Sequence, residues 1–398
     1  MFSFFCTIFH RAKKTIITIK SAKFKLRKMK NKSFLITIAI FIILGTIHVT
    51  CVGNTDKYTI SVMVKGVNSG IIYLQKFKDN QWVKVDSGNL DQGAYKFIGN
   101  ITMSEMWYLS MQNPKISVPV FVENSMIDVQ IYPDDIDKSV VTGSFTHDIF
   151  KQYDISNELI NKKLEVVYKE WKSAKESNDS VRMKRNESIS IGLEKEGKQL
   201  MVFFSKTNNK TVVSPYIISR NIWQFELPEL EDIYAKFDTS IKASSYSQFI
   251  KKRINILKRV AIGQFAPDFT MNDINGRPVL LSSLKAKVLL IDFWASWSGP
   301  TRAKKPNLRK LYQAYNKKGF DILGVSLDRD KAAWIKAISD DQLTWHHVSD
   351  LKYMQNEAAV KYGVRSIPFT LLLDKEGKII AKNLTAEELT KKLTELLP

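Results

Sequence analysis

Ser298 and Thr301 are the residues best placed to do chemistry, because they flank Gly299-Pro300 directly after an apolar run and at the start of a helical pattern. Unpaired N–H groups and the dipole at a helix N-terminus favour an anion, so two thiols at this spacing would make a reactive redox pair. Hydroxyls there form no disulfide and do not ionise near neutral pH without a strong base beside them. No histidine stands near them in sequence, and the only cysteines, Cys6 and Cys51, lie at the N-terminal end. The pair is therefore read as neither a redox couple nor a hydrolytic nucleophile.

His346-His347 after Trp345 could suggest a metal ligand pair. Adjacent side chains on a strand point to opposite faces, however, and two further ligands at useful spacing are missing. Both are read as ordinary surface or loop residues. With no Gly-rich phosphate loop, zinc-type cysteine cluster or hydrolase elbow, neither a metal nor a cofactor is expected.

The elements that must position Ser298 and Thr301 are legible on either side. Val288-Leu289-Leu290-Ile291-Asp292-Phe293 is a short β-rich run suited to a strand buried on both faces, and Asp292 within it reads as a hydrogen-bonded strand residue without a titrating role. Gly299-Pro300 then opens a helix carrying Leu308, Leu311, Tyr312 and Tyr315 at helical spacing, with Pro306 expected to kink that helix rather than end it. Farther on, Gly363-Val364-Arg365-Ser366-Ile367-Pro368-Phe369-Thr370 leads into a strand from Leu371 to Leu373, a turn at Asp374-Lys375-Glu376-Gly377 and a strand from Lys378 to Ala381.

With Phe265-Ala266-Pro267-Asp268-Phe269 and the hairpin-like Asn275-Gly276-Arg277-Pro278, these motifs make the stretch from Ala261 to Pro398 resemble the TlpA/ResA type of envelope thiol-disulfide reductases, within the wider redoxin and peroxiredoxin-like superfamily. The resemblance covers about a third of the chain. It implies a thioredoxin-like α/β domain in which Ser298 and Thr301 stand at the nucleophilic and resolving cysteines, Pro368 is the cis-proline, and Asp292 is the buried carboxylate that assists proton transfer. Ile367-Pro368 is accordingly expected to be cis. Lys304 is a further departure, since relatives often carry an acidic residue shortly after the second cysteine. The departures all concern redox chemistry.

Three textures precede or form this domain. Residues 51–146 alternate with period two, as in Tyr58-Thr59-Ile60-Ser61-Val62-Met63-Val64, with turns at Lys78-Asp79-Asn80 and Asp91-Gln92-Gly93, and read as a small antiparallel β-sandwich domain. It resembles the uncharacterised β-rich domain often found ahead of TlpA-like domains. Residues 147–260 read as a helical linker domain, with Ile149, Phe150, Tyr153, Leu159, Ile160, Leu164, Val167 and Trp171 on one apolar face and an exposed hairpin over 172–187. Trp171, Phe203, Phe204, Trp223 and Phe225 are read as packing residues rather than a ligand cage. Residues 261–398 complete the chain as the thioredoxin-like domain.

Residues 1–50 form an extension with a secretory signal: Lys30 and Lys32 precede an apolar run from Phe34 to Ile47, which is short for a membrane span. Met29 is a credible initiator. Cys51 follows this run where a bacterial lipoprotein carries its lipidated cysteine, although Ile47-His48-Val49-Thr50 is a poor lipobox. Lipidation at Cys51, simple cleavage and an uncleaved anchor stay open, and each implies export to the cell envelope, periplasmic or membrane-anchored. The net charge of +20 includes ten basic and no acidic residues over 1–50, so their removal leaves +10, dispersed among acidic neighbours. That is a solvated basic surface and not a nucleic-acid footprint.

Two function classes follow. The first is a non-redox binding module whose groove at Trp297, Gly299, Pro300, Ile367 and Pro368 holds an extended peptide or envelope protein. The second is a thiol-disulfide oxidoreductase serving cell redox homeostasis, which the resemblance implies and the missing thiols oppose.

Overall fold

The computed structural model describes residues 56–78 and 81–398. Cys51, the signal run, Met29 and Asp79-Asn80 lie outside the described residues. Two compact units emerge: one runs to Phe204 and takes in Thr211–Val213, and the other comprises Ser205–Lys210 and Ser214–Pro398. The helical stretch named above as one segment is shared between them.

The first unit opens with β1 (Tyr58–Val64), whose alternate residues are buried. Strands β2 (Ile71–Lys78), β3 (Gln81–Asn89), β4 (Ala94–Gly99), β5 (Glu105–Met111), β6 (Ile116–Val122), β7 (Met126–Ile131) and β8 (Val140–Thr142) follow. They form two four-stranded sheets, β4-β1-β7-β8 and β3-β2-β5-β6. Ile60, Val62, Phe97 and Val129 from one sheet share a core cluster with Ile72, Leu74, Leu109 and Val120 from the other, which is the period-two arrangement of a sandwich. One pairing departs from the antiparallel expectation. β1 pairs antiparallel with β4 on one side and parallel with β7 on the other.

Helix α1 (Phe145–Glu176) starts where Ser144 accepts a hydrogen bond from the His147 N–H. Ile149, Tyr153 and Ile160 are buried along it, whereas Leu159 lies off that stripe and is half exposed. Phe150 meets Phe121 of β6 with ring centroids 5.5 Å apart, so α1 covers part of that sheet's outer face. The hairpin expected over 172–187 is the junction of α1 with α2 (Ser180–Thr207).

The second unit adds α3 (Val213–Arg220), α4 (Leu227–Lys236) and α5 (Ser245–Arg259), followed by the hairpin of β9 (Thr270–Asn272) and β10 (Pro278–Leu280). Its main sheet contains β11 (Val288–Trp294), β12 (Phe320–Ser326), β13 (His346–Val348), β14 (Phe369–Asp374) and β15 (Ile379–Lys382), ordered β13-β12-β11-β14-β15. The first three are mutually parallel, while β14 and β15 are antiparallel to their neighbours.

Every residue of β11 is buried, as a strand covered on both faces requires. On one face Ile291 and Phe293 pack with Ala358 and Tyr362 of α9 (Glu357–Tyr362). On the other, Leu290 and Trp294 pack with Leu308 of α7 (Lys305–Tyr315), Trp334 of α8 (Lys331–Asp340) and Leu393 of α10 (Ala386–Leu396). This is the thioredoxin-like α/β architecture expected for 261–398. Tyr362 also donates its hydroxyl to the Pro267 carbonyl at 2.8 Å, tying the 265–269 motif to α9.

Pro306 does more than kink a helix. The segment divides into a single turn, α6 (Gly299–Arg302), and α7, with Pro306 in the first turn of α7. Its ring nitrogen has no hydrogen to offer the Arg302 carbonyl, whereas a first-turn position needs none.

Among the described residues, no helix is long and apolar enough to cross a membrane. Trp223 is 66% exposed and so differs from the packing role expected for it, while Phe204 and Phe225 are buried. Trp171 is partly covered: its indole N–H donates to Glu187 and the Lys175 ammonium lies over its ring.

Candidate functional site

β11 delivers the loop 295–298 to the start of α6, and local bonds close it. The Ser298 N–H donates to the Ala295 carbonyl at 3.2 Å, while the Ser298 carbonyl accepts from the N–H groups of Thr301 and Arg302 at 3.1 and 3.0 Å. The Thr301 hydroxyl lies 2.8 Å from the Ser298 carbonyl and 3.2 Å from that of Ala295. It is therefore a donor that closes the turn. Both side chains sit in buried positions, and Ser298 caps α6 without a side-chain bond.

A carboxylate anchors the same loop. Asp328, just beyond β12, is buried and accepts the Ser296 N–H at 3.0 Å, the Ser296 hydroxyl at 2.5 Å and the Ser326 hydroxyl at 2.7 Å. Several donors satisfy its lone pairs, which is the condition for keeping such a group out of water. On the far side of α6, Arg302 forks onto Asp341 with contacts of 2.8 and 2.7 Å. The loop is thus held at both ends.

Beneath the loop, Asp292, Gly324 and His347 are register partners across β11, β12 and β13. Asp292 forms a buried ion pair with Lys305 rather than bonding to either loop hydroxyl. The Lys305 ammonium also stands 4.4 Å from the centre of the Trp294 ring. The absence of a side chain at Gly324 lets His347 and Trp294 converge, since a Cβ there would lie 2.5 Å from His347 Nδ1 and 3.1 Å from Trp294 Nε1.

His347 corrects the surface reading. Its ring packs 5.6 Å from Trp294 and 5.7 Å from Trp345, and neither ring nitrogen has a hydrogen-bond partner among the described residues. Burial, reinforced by the nearby Lys305 charge, lowers its pKa to about 3, so it is neutral at physiological pH. His346 does face outward, with Nε2 3.6 Å from Asp321. The expected alternation holds, but the inner face of β13 is covered and so one of the two histidines is core. Among the described residues, no group of histidine, cysteine and acidic side chains could hold a metal ion.

Of the residues expected to line a groove, Trp297, Gly299 and Pro300 lie on the loop and the start of α6, and Ile367 and Pro368 precede β14. Trp297 is 54% exposed and its ring lies 5.4 Å from Tyr353, over which the Arg329 guanidinium stacks at 4.5 Å. Gly299 and Pro300 are exposed, and a Cβ at Gly299 would meet nothing within 4 Å. The Ile367–Pro368 bond is cis. Phe369 is paired with Phe293, so Pro368 lies at the end of the sheet from which the loop departs. Ile367 is partly buried against the core cluster, and Pro368 is partly exposed.

Lys305, Asp328 and Tyr353 were not among the residues singled out from sequence. Asp292 alone in an apolar strand signals a need for a cation, but Lys304 and Lys305 are adjacent and only the helix start at Lys305 selects between them. Asp328 and Tyr353 carry no local signal, because their contacts with the loop span more than thirty residues.

The AhpC/TSA family matches residues 262–382, and a domain of unknown function, DUF4369, matches residues 58–150. The thiol-disulfide oxidoreductase ResA of Geobacillus thermodenitrificans is 34% identical over 142 residues, which span 35% of this chain and 80% of that protein. Its counterpart in Geobacillus kaustophilus is 32% identical over the same shares. A solved thiol-disulfide oxidoreductase from Bacteroides fragilis is 38% identical, covers 34% of this chain and 100% of its own, and superposes with a TM-score of 0.32.

Proposed function

The chain belongs to the thiol-disulfide oxidoreductase family represented by ResA, and on that premise we propose that its thioredoxin-like unit is a non-redox member that binds an extended peptide or envelope protein. One observation carries this reading: no cysteine follows Cys51, and the Thr301 hydroxyl serves the backbone of its own turn. Ser298 and Thr301 stand for the family's nucleophilic and resolving cysteines. Neither can accept or release the electron pair of a disulfide.

The groove keeps what a peptide needs. Trp297 offers an exposed aromatic face, the space above Gly299 is open, and the cis Ile367–Pro368 bond stands at the end of the sheet from which the loop departs. An extended segment laid there gains main-chain hydrogen bonds and apolar contact. Export through the 1–50 segment, with that segment simply cleaved, Cys51 lipidated or the segment retained as an anchor, would place the groove in the cell envelope.

The test is insulin reduction by the chain from Gly53 to Pro398, with the Ser298→Cys/Thr301→Cys variant beside it. An inactive natural chain and an active variant support the proposal. Turnover by the natural chain would restore the redox reading that family membership favours.

A further inference from the structure

A second feature of the same unit names the chemistry of the peptide. Arg253 reaches from α5 to the Gly363 carbonyl, which ends α9 and begins the segment leading to Pro368. Gly363 has φ +67°, and a Cβ there would lie 2.4 Å from Arg253 Nη1, so the guanidinium is seated against the backbone. Its Nε is buried and has no hydrogen-bond partner.

Two residues beyond Gly363, the Arg365 guanidinium lies 5.6 Å from the ring of Phe249, one turn before Arg253 on α5. Lys382 ends β15 on the edge of the main sheet. Neither Arg365 nor Lys382 forms an ion pair among the described residues. Burial, with Arg365 close by, lowers the Arg253 guanidinium to about 10, and burial likewise lowers Lys382, with Arg253 adding to the effect. The carboxylate acting on both Arg253 and Lys382 is Glu226, which is already engaged in the capping box of α4. Glu226 is thus shared between Arg253 and Lys382, while Arg365 is shifted by burial alone. Partly desolvated positive charge without a partner is unfavourable, and guanidinium forks match a carboxylate in two hydrogen bonds.

We propose that Arg253, Arg365 and Lys382 form a carboxylate-binding site flanking the Pro368 loop, and that the peptide held in the groove is acidic. Arg253 acts as a positioning residue, holding the loop backbone through the Gly363 carbonyl, while Arg365 and Lys382 provide the charges that meet the carboxylates. The inference rests on the groove reading above and adds the charge of its occupant.

The test is fluorescence anisotropy with the chain from Gly53 to Pro398 and two labelled peptides, one alternating Glu with Val and the other Gln with Val. The Glu peptide should bind at least about tenfold more tightly at low salt, as a charge-assisted pair implies. Arg365→Gln/Lys382→Gln should abolish that preference, and Arg365→Lys/Lys382→Arg should keep it. Inorganic phosphate should displace the Glu peptide selectively. Equal affinity for both peptides would overturn the acidic site and leave the groove standing. An unchanged preference in the Gln variant would overturn the assignment to these residues, and failure of both peptides to bind would overturn the groove and the acidic site together.

Discussion

Lys305 and Asp292 neutralise each other inside the thioredoxin-like unit, with side chains only 1% and 4% exposed. The pair links the first turn of α7 to the middle of β11, directly before the loop that bears Ser298. A buried pair contributes little against an apolar substitute, but breaking it leaves an uncompensated charge. Lys305→Met should therefore cost about 3–5 kcal/mol in urea unfolding, and adding Asp292→Asn should recover much of that loss. A single variant as stable as the natural chain would show that the pair does not hold α7 to the sheet.

The position of His347 sets an acid limit on stability. Its pKa is about 3 when folded, against roughly 6.5 when unfolded, so the unfolded chain binds more protons between those values. Stability is full above about pH 6.5 and falls as pH drops towards 3, with an upper bound of about 5 kcal/mol from this group at ~1.4 kcal/mol per pH unit. His147 in the first unit, lowered to about 4 by burial, acts with the same sign there. Melting of His347→Leu between pH 7.5 and 4 should show a shallower acid slope for the second unit, whereas a slope equal to that of the natural chain would refute the assignment.

Asp328 should govern the order of the loop. Asp328→Ala removes the acceptor for the Ser296 N–H and for two hydroxyls, leaving donors unsatisfied at an expected cost of about 1–3 kcal/mol. Acrylamide quenching should rise as Trp297 gains freedom, and Ser296→Ala should have a smaller effect. If quenching does not change, other contacts position the loop.

Restoring thiols tests the backbone itself. Ser298 and Thr301 flank the first turn of α6, so Ser298→Cys/Thr301→Cys should form a disulfide on air oxidation, seen as a loss of two titratable thiols and of 2 Da. Free thiols persisting under oxidant would place the two positions beyond bonding geometry.

Much of this was legible in the chain alone. Period-two runs from Tyr58 onward set sheets, the apolar run from Val288 to Phe293 set a central strand, and the hydroxyls of Ser298 and Thr301 can form no disulfide with each other whatever the fold. Local signals also marked the hairpin at Gly276 and the turn at Gly377, where positive φ favours glycine. Other features depended on which faces the fold covers. The strand pattern at His346-His347 predicted opposite directions, but only the packing of β13 beside Gly324 and Trp294 made His347 a core residue. The parallel pairing of β1 with β7, the choice of Lys305 over Lys304 for Asp292, and the seating of Arg253 on the Gly363 carbonyl all join residues distant in sequence. Sequence determines which groups exist and their local periodicity; only tertiary structure decides which are drawn together and which lose water, and the free energy of a charge depends on both.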